Sequence, residues 1–315
     1  MRRFFVVLLV CVVGGFLLAG CAGLSVQGEK SDGGGAKMPV VTSFYPMYEF
    51  ARQVGGDKVE VVALVPAGTE PHDWEPSPQD MTALQKAKVF VYNGAGFEHW
   101  AEKTLQNSPH PELIVVEASQ GLAHLERAAE ITPADAAEYG DIDPHVWLDP
   151  VAAQQQVQKI RDAFIKADPE NRRYYEANAT GYMAKLAALD EEFRAGLDPL
   201  PRRKFITSHA AFGYLANRYG LEQIPIAGLA PGAEPTPERL KYLVKVAREQ
   251  GIKYVFFETL VSPKVAEIVA KEAGIKTLVL NPVEGLTPDD LQQGKDYIAL
   301  MRENLHNLKL ALEGE

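Results

Sequence analysis

At 315 residues, the chain is longer than a single core usually serves, so two domains are the default expectation. It carries 42 acidic against 32 basic side chains, a formal charge of −10, and no basic stripe of the kind nucleic acid requires. Its two cysteines, Cys11 and Cys21, both lie near the N-terminus, which leaves the body without a thiol for a disulfide or a metal.

In chain order, Arg2 and Arg3 precede an apolar run from Phe4 to Leu18 that is short for a membrane span and has the flanks of a secretory leader. Leu18-Ala19-Gly20-Cys21 resembles a bacterial lipobox. That resemblance implies removal of a signal peptide, residues 1–20, and lipidation of Cys21. One acyl chain holds weakly and two hold well, so a diacylated Cys21 would anchor the protein in the lipid bilayer on the extracytoplasmic face of the cell membrane. Residues 21–37, rich in Gly, Ser and charge, read as a flexible tether averaging about 20–24 Å in span.

From Pro39 onward, β-rich runs alternate with helical patterns. The first set of strands is expected at Val40–Ser43, Val59–Val65, Val89–Tyr92 and Leu113–Glu117. The second falls at Lys204–Thr207, Gln223–Ile226, Lys253–Phe257 and Lys276–Leu280. Alternation of this kind predicts parallel sheets covered by helices. Helix starts are marked by a capping residue followed by proline at Ser77, Asp149, Asp168, Thr236, Ser262 and Thr287. Gly220, Gly251 and Gly274 fall where helices should stop.

One helix stands apart. Asp168-Pro169 opens a stretch running to Asp198-Pro199, with Tyr175, Tyr182, Leu186, Leu189 and Phe193 at helical spacing. It lies midway between the two sets of strands. The expected fold class is therefore α/β: two lobes, each with a mainly parallel four-stranded sheet flanked by helices, joined by one long rigid helix. The boundaries are an N-terminal lobe at 38–167, a connecting helix at 168–197 and a C-terminal lobe at 198–315.

Three histidines occupy equivalent places in this scheme. His72 lies between the second strand and the helix starting at Ser77, His145 stands just ahead of the helix at Pro150, and His209 follows the strand ending at Thr207 and opens the next helix. Strand-to-helix connections form the side of an open parallel sheet where ligands bind, so the site is expected between the lobes. The last such connection offers Glu284 and Asn281, and Glu258 ends a strand on the same edge. The fourth ligand is open among Glu284, Glu258, Asn281 and water. Three imidazoles and one carboxylate suit zinc, whereas manganese favours more oxygen. His99, His110, His124 and His306 read as surface or hydrogen-bonded residues. Trp74, Trp147 and Phe212 are placed to shield the site or to pack a core.

The stretches PHDWEPSP, DPHVWLDP, TSHAAFGYLANRYGL, FFETLVSPKVAE and LNPVEGLTPDDLQQGKDYIALMRENL resemble the solute-binding lipoproteins of bacterial zinc and manganese ABC importers, the ZnuA/AdcA-type group. The resemblance covers the chain from about Val40 to its end. It implies two α/β lobes joined by a backbone helix, metal ligands at His72, His145 and His209, and a membrane permease as partner to a monomeric receptor. Manganese-binding relatives tend to carry a carboxylate at the position of His209. Many relatives have aspartate where this chain has Asn281; LNPVEGL is instead similar to the AdcA-type subgroup, which puts the fourth ligand on Glu284. The histidine-rich loop of many zinc binders is reduced here to His124.

These readings predict a zinc receptor, with a manganese receptor of the same family as the alternative. A zinc hydrolase with three histidines is the competing class, but the chain has no His-Glu-x-x-His and no evident general base beside a ligand pair. No sequence feature supports adhesion, and an organic solute such as a siderophore would not call for three aligned histidines. Asp73, Glu75, Asp143 and Asp149 are candidates to hold the rings.

Overall fold

Strands form where valine, isoleucine and phenylalanine gather, and each stops at the residue that turns the chain toward a helix. The structure, a computed structural model, describes residues 36–107, 110–122, 124–125, 142–232 and 235–313. Cys21, the leader and most of the tether lie outside these residues. From Ala36 onward the chain is one compact unit.

The first half contains β1 (Met38–Thr42), α1 (Tyr45–Gly55), β2 (Val59–Ala63), α2 (Pro78–Lys86), β3 (Val89–Tyr92), α3 (Ala101–Asn107), β4 (Ile114–Glu117) and α4 (Pro150–Ala167). Next comes α5 (Arg172–Leu197). The second half contains β5 (Lys204–Thr207), α6 (Gly213–Arg218), β6 (Glu222–Pro225), α7 (Pro237–Glu249), β7 (Tyr254–Phe257), α8 (Lys264–Ala273), β8 (Lys276–Val279), α9 (Pro288–Gln292) and α10 (Tyr297–Leu312).

Two parallel four-stranded sheets result, in the orders β2-β1-β3-β4 and β6-β5-β7-β8. Central strand β3 is buried along its whole length, while edge strands β2 and β8 keep exposed positions. This is the pattern of sheets covered on both faces. In each sheet the strand order reverses direction at the central pair, β1/β3 in the first and β5/β7 in the second. Ligands of open α/β sheets bind beyond the carboxyl ends of strands at such switch points.

The 26 residues of α5 span about 39 Å at 1.5 Å per residue. Its buried stripe, Tyr175, Ala179, Tyr182, Leu186, Leu189, Phe193 and Leu197, keeps helical spacing and packs on α1, α4 and α10. These residues belong to one apolar cluster that takes in Val40 and Val89 of the first sheet and Phe205 and Phe256 of the second. Two smaller clusters fill the outer sides of the sheets. A continuous interior across both halves resists a wide hinge motion, because close-packed interiors deform little.

Ser77, Asp149, Thr236 and Thr287 cap their helices as the proline pairs predict, with reciprocal bonds to Asp80 and Asp290 at the first and last. Asp168 does not. Its carboxylate accepts from the Tyr175 hydroxyl and the Asn171 amide, both at 2.7 Å, so a short turn intervenes and α5 begins at Arg172. Pro263, rather than Ser262, stands at the start of α8 and gives no side-chain cap. Gly274 ends α8 in the left-handed conformation, φ +73°. Among the described residues, no helix is long and apolar enough to cross a membrane.

Candidate metal centre

Each of the three histidines is fixed first by its own backbone. His145 follows Asp143-Pro144, and Asp143 Oδ1 accepts both the backbone N–H and the ring Nδ1–H of His145 at 2.9 Å. His209 repeats the device with a distant residue: Glu258, immediately after β7, accepts its backbone N–H at 3.1 Å and its Nδ1–H at 2.6 Å. Both meetings follow from topology, since His209 and Glu258 leave β5 and β7 at the second sheet's switch point. Holding Nδ1 selects the tautomer and turns Nε2 toward the site. His72 comes from the loop after β2, where both Glu70 carboxylate oxygens lie 3.1 Å from its backbone N–H. The Phe97 ring packs edge-on against the His72 ring at 4.7 Å.

His209 does not open a helix, as its sequence suggests; α6 begins only at Gly213. The backbone around it is engaged elsewhere. The Thr207 hydroxyl donates to the His209 carbonyl at 2.7 Å, and Ala210 N–H donates to Gly228. Gly213 also has a steric task, because a Cβ there would lie 2.4 Å from Asp143 Oδ2.

Glu284 arrives from the loop after β8 and faces all three rings. Its Oε1 lies 3.4 Å from His72 Nε2, 3.5 Å from His145 Nε2 and 3.5 Å from His209 Nε2, and the last two nitrogens are 3.4 Å apart. All four donor atoms fall within 4.8 Å of one another, and all four residues are buried. A regular tetrahedron with metal–ligand bonds of 2.0–2.1 Å has edges of about 3.3–3.4 Å. Four of the six separations, at 3.4–3.5 Å, match that edge closely, and the donor set of three nitrogens and one oxygen suits zinc.

Charge makes the cluster self-consistent. Burial works against ionisation of Glu284, but attraction to the His72 ring and hydrogen bonds from the surrounding imidazoles, of which His145 and His209 are the two that favour their charged form, hold its carboxyl well below the usual range. Burial also opposes a charged His209, yet Glu258 and Glu284 outweigh it and push the imidazole up to about 10. His145 is raised as well; Asp143 and Glu284 overcome its desolvation. His72 is lowered, with burial the main cause and the other two imidazoles adding to it against the pull of Glu284. At the rim, Glu70 rises to about 7 through burial and repulsion from Glu284. A cation held here would have to replace protons.

The other sequence candidates lie elsewhere. Glu258 sits behind His209, on the far side of the ring from Glu284. Asn281 serves its turn: its side-chain oxygen accepts from Val283 N–H at 2.8 Å, and Asn304 holds its backbone N–H and carbonyl at 2.7 Å each. Among the proposed holders of the rings, Asp143 touches His145. Glu75 pairs with exposed His99 at 3.0 Å, Asp149 caps α4 and binds Arg218, and Asp73 is exposed. His124 packs on Tyr214 and His306 is exposed on α10. Trp147 packs on the His145 ring at 5.1 Å, whereas Trp74 faces Trp100 and Phe212 lies in the core.

Sequence reasoning missed Phe97 and what stands behind it. The loop Asn93-Gly94-Ala95-Gly96 turns through positive φ at its last three residues. Buried Glu98 ties it down, accepting from the Ser43 hydroxyl at 2.6 Å and from Asn93 and Gly94 N–H. Asn93 in turn donates to the Pro144 carbonyl at 2.9 Å, next to His145. The cluster of small residues in NGAGF was the available signal.

A family model described as zinc-uptake complex component A, periplasmic (ZnuA), matches residues 40–311. The chain is 42% identical over 300 residues to the high-affinity zinc uptake system protein ZnuA of Bacillus subtilis, covering 94% of each. It is 40% identical over 291 residues to the zinc-binding lipoprotein AdcA of Streptococcus pneumoniae, covering 91% of this chain and spanning 58% of the relative's length. The crystal structure of Zn(II)-bound AdcA from Streptococcus pneumoniae superposes with a TM-score of 0.77 at 40% identity, over 89% of this chain and 58% of that one.

Proposed function

The chain belongs to the ZnuA family of zinc-uptake components, and from that premise we propose that it is the zinc receptor of an ABC importer, with His72, His145, His209 and Glu284 as the ligands. One observation carries the ligand assignment: Glu284 Oε1 lies 3.4–3.5 Å from all three imidazole Nε2 atoms, two of which are 3.4 Å apart, and the four donor atoms fall within 4.8 Å of one another. The proposed lobes, residues 38–167 and 198–315, each supply two of the four, and the connecting segment at 168–197, helical from Arg172 to Leu197, keeps them in register.

The zinc ion is cargo. Binding requires neutral imidazoles, so the ion displaces the proton that His209 holds and takes its place against the Glu284 carboxylate. Asp143 and Glu258 then accept from the polarised Nδ1–H groups and keep the rings basic. Because one apolar interior runs through both halves, release proceeds by movement of ligand loops rather than by opening of the whole molecule.

Glu284 also argues for a receptor over a hydrolase. It fills the corner at which a zinc hydrolase keeps water, and no turnover is proposed. Lipidation at Cys21 would hold the protein at the extracytoplasmic face as a monomer, with the importer's permease as partner; the AdcA relative is likewise named a lipoprotein.

Elemental analysis of the purified soluble body, followed by competition of zinc against manganese, tests the reading. One zinc per chain that excess manganese fails to displace is expected. Stoichiometric manganese would turn the assignment to the manganese branch, and an organic solute at one per chain would end it.

A further inference from the structure

Val283, directly before Glu284, has φ +57° and no solvent exposure. A β-branched residue in the left-handed region is a strained conformation that persists only where its surroundings impose it. Two anchors impose it here. On the side of β8, Asn281 Oδ1 accepts from Val283 N–H at 2.8 Å and Asn304 fixes Asn281. On the side of the histidines, the indole N–H of Trp147 donates to the Pro282 carbonyl at 2.8 Å.

Trp147 is itself gripped. Its carbonyl accepts from the Tyr297 hydroxyl of α10 at 2.5 Å, and its ring is wedged among Phe44, Phe97 and His145 at 4.9–5.1 Å. It therefore stands two residues after His145 and reaches, through one hydrogen bond, the residue two before Glu284. His145 and Glu284 come from opposite halves of the molecule.

We propose that Trp147 is the positioning residue for the fourth corner of the metal site, a latch whose indole N–H keeps Val283 strained and Glu284 turned toward the imidazoles. When that bond breaks, Val283 returns to ordinary backbone and Glu284 swings away. A closed four-ligand site then becomes an open three-histidine one, from which an ion leaves readily. The inference rests on the receptor reading and adds to it where release begins.

The test combines Trp147→Phe, which keeps an apolar ring and removes the donor, with Val283→Gly, which removes the strain. Zinc dissociation into excess chelator should quicken about 10- to 100-fold in W147F, the range for partners that orient metal ligands. Adding V283G should slow it again by roughly 5- to 30-fold, because glycine adopts the left-handed region freely. V283A removes volume but keeps a Cβ, so it should not rescue. Cobalt(II) bound to W147F should lose part of the intense visible absorption of four-coordinate cobalt, which a merely structural lesion would leave in place while lowering Tm. In metal-free protein, amide exchange at residues 283–285 should quicken in W147F alone.

Unchanged dissociation, cobalt spectrum and loop exchange in W147F would overturn the latch, as would rescue by V283A equal to that by V283G. A wild-type protein that takes up neither ion would overturn the receptor reading instead, and exchange in the metal-free protein would still decide the latch.

Discussion

Glu258 accepts twice from His209, taking the backbone N–H at one carboxylate oxygen (3.1 Å) and the ring Nδ1–H at the other (2.6 Å). One side chain thereby fixes where the residue sits, which tautomer the ring adopts and where Nε2 points. Asp143 does the same for His145 with a single oxygen. Two of the three rings are thus oriented by carboxylates that leave Nε2 facing Glu284.

Glu258→Gln should keep the shape of this contact and lose its charge. Zinc affinity is expected to fall about 10- to 100-fold, in line with other carboxylates that hold metal-bound histidines. Competition against a chromophoric chelator measures it, and an unchanged affinity would mean that Glu258 only packs.

Glu284→Ala removes a proposed ligand rather than its support, so the loss should exceed the roughly 100-fold ceiling for supporting residues. The three histidines would still bind, with solvent admitted to the fourth corner. Cobalt absorption should weaken as water enters. A variant that holds zinc as tightly as the parent would remove Glu284 from the ligand set.

In the metal-free protein His209 holds its proton up to about pH 10, well above the ordinary imidazole value. A folded-state pKa raised in this way adds stability that is full below about pH 6.5 and is lost as pH climbs through the folded value. The metal-free form should therefore melt lower at pH 9–10 than at pH 6.5. Zinc must displace the same proton, so its affinity should rise with pH across the neutral range, by up to about tenfold per unit for each proton displaced. Calorimetry in buffers of different ionisation enthalpy should find at least one proton released per zinc near pH 7. A flat affinity with no proton release would contradict the charge state described here.

Metal removal should lower Tm. Linkage to a ligand at one hundred times its Kd contributes about 2.7 kcal/mol. At roughly 2–4 °C per kcal/mol for a chain of this class, a shift of about 5–10 °C is expected. Chelator should reverse it and added zinc restore it, as read by scanning calorimetry.

Much of this was legible in the sequence because topology repeats. His72 and His209 each follow a strand and precede a helix, and a parallel sheet brings all such connections to one edge. The caps at Ser77, Asp149, Thr236 and Thr287 were legible too, since serine, aspartate or threonine before proline has few other uses. The role of Glu258 was not. Sequence places a carboxylate on the edge, but whether it faces an ion or backs a ring depends on the separation of β5 and β7 and on side-chain direction. Phe97 and Glu98 left only a glycine-rich trace. Asp168 was misleading because a capping residue with a tyrosine seven residues further on, about two helical turns away, has two partners to choose from, and Tyr175 won.

Four side chains, His72, His145, His209 and Glu284, are proposed to close a tetrahedron around one ion. Anomalous diffraction from crystals of the zinc-loaded protein, collected on both sides of the zinc edge, tests it most directly. One peak is expected about 2.0–2.2 Å from Nε2 of His72, His145 and His209 and from a Glu284 oxygen. A peak that lies elsewhere, or one in which water takes the corner assigned to Glu284, would contradict it.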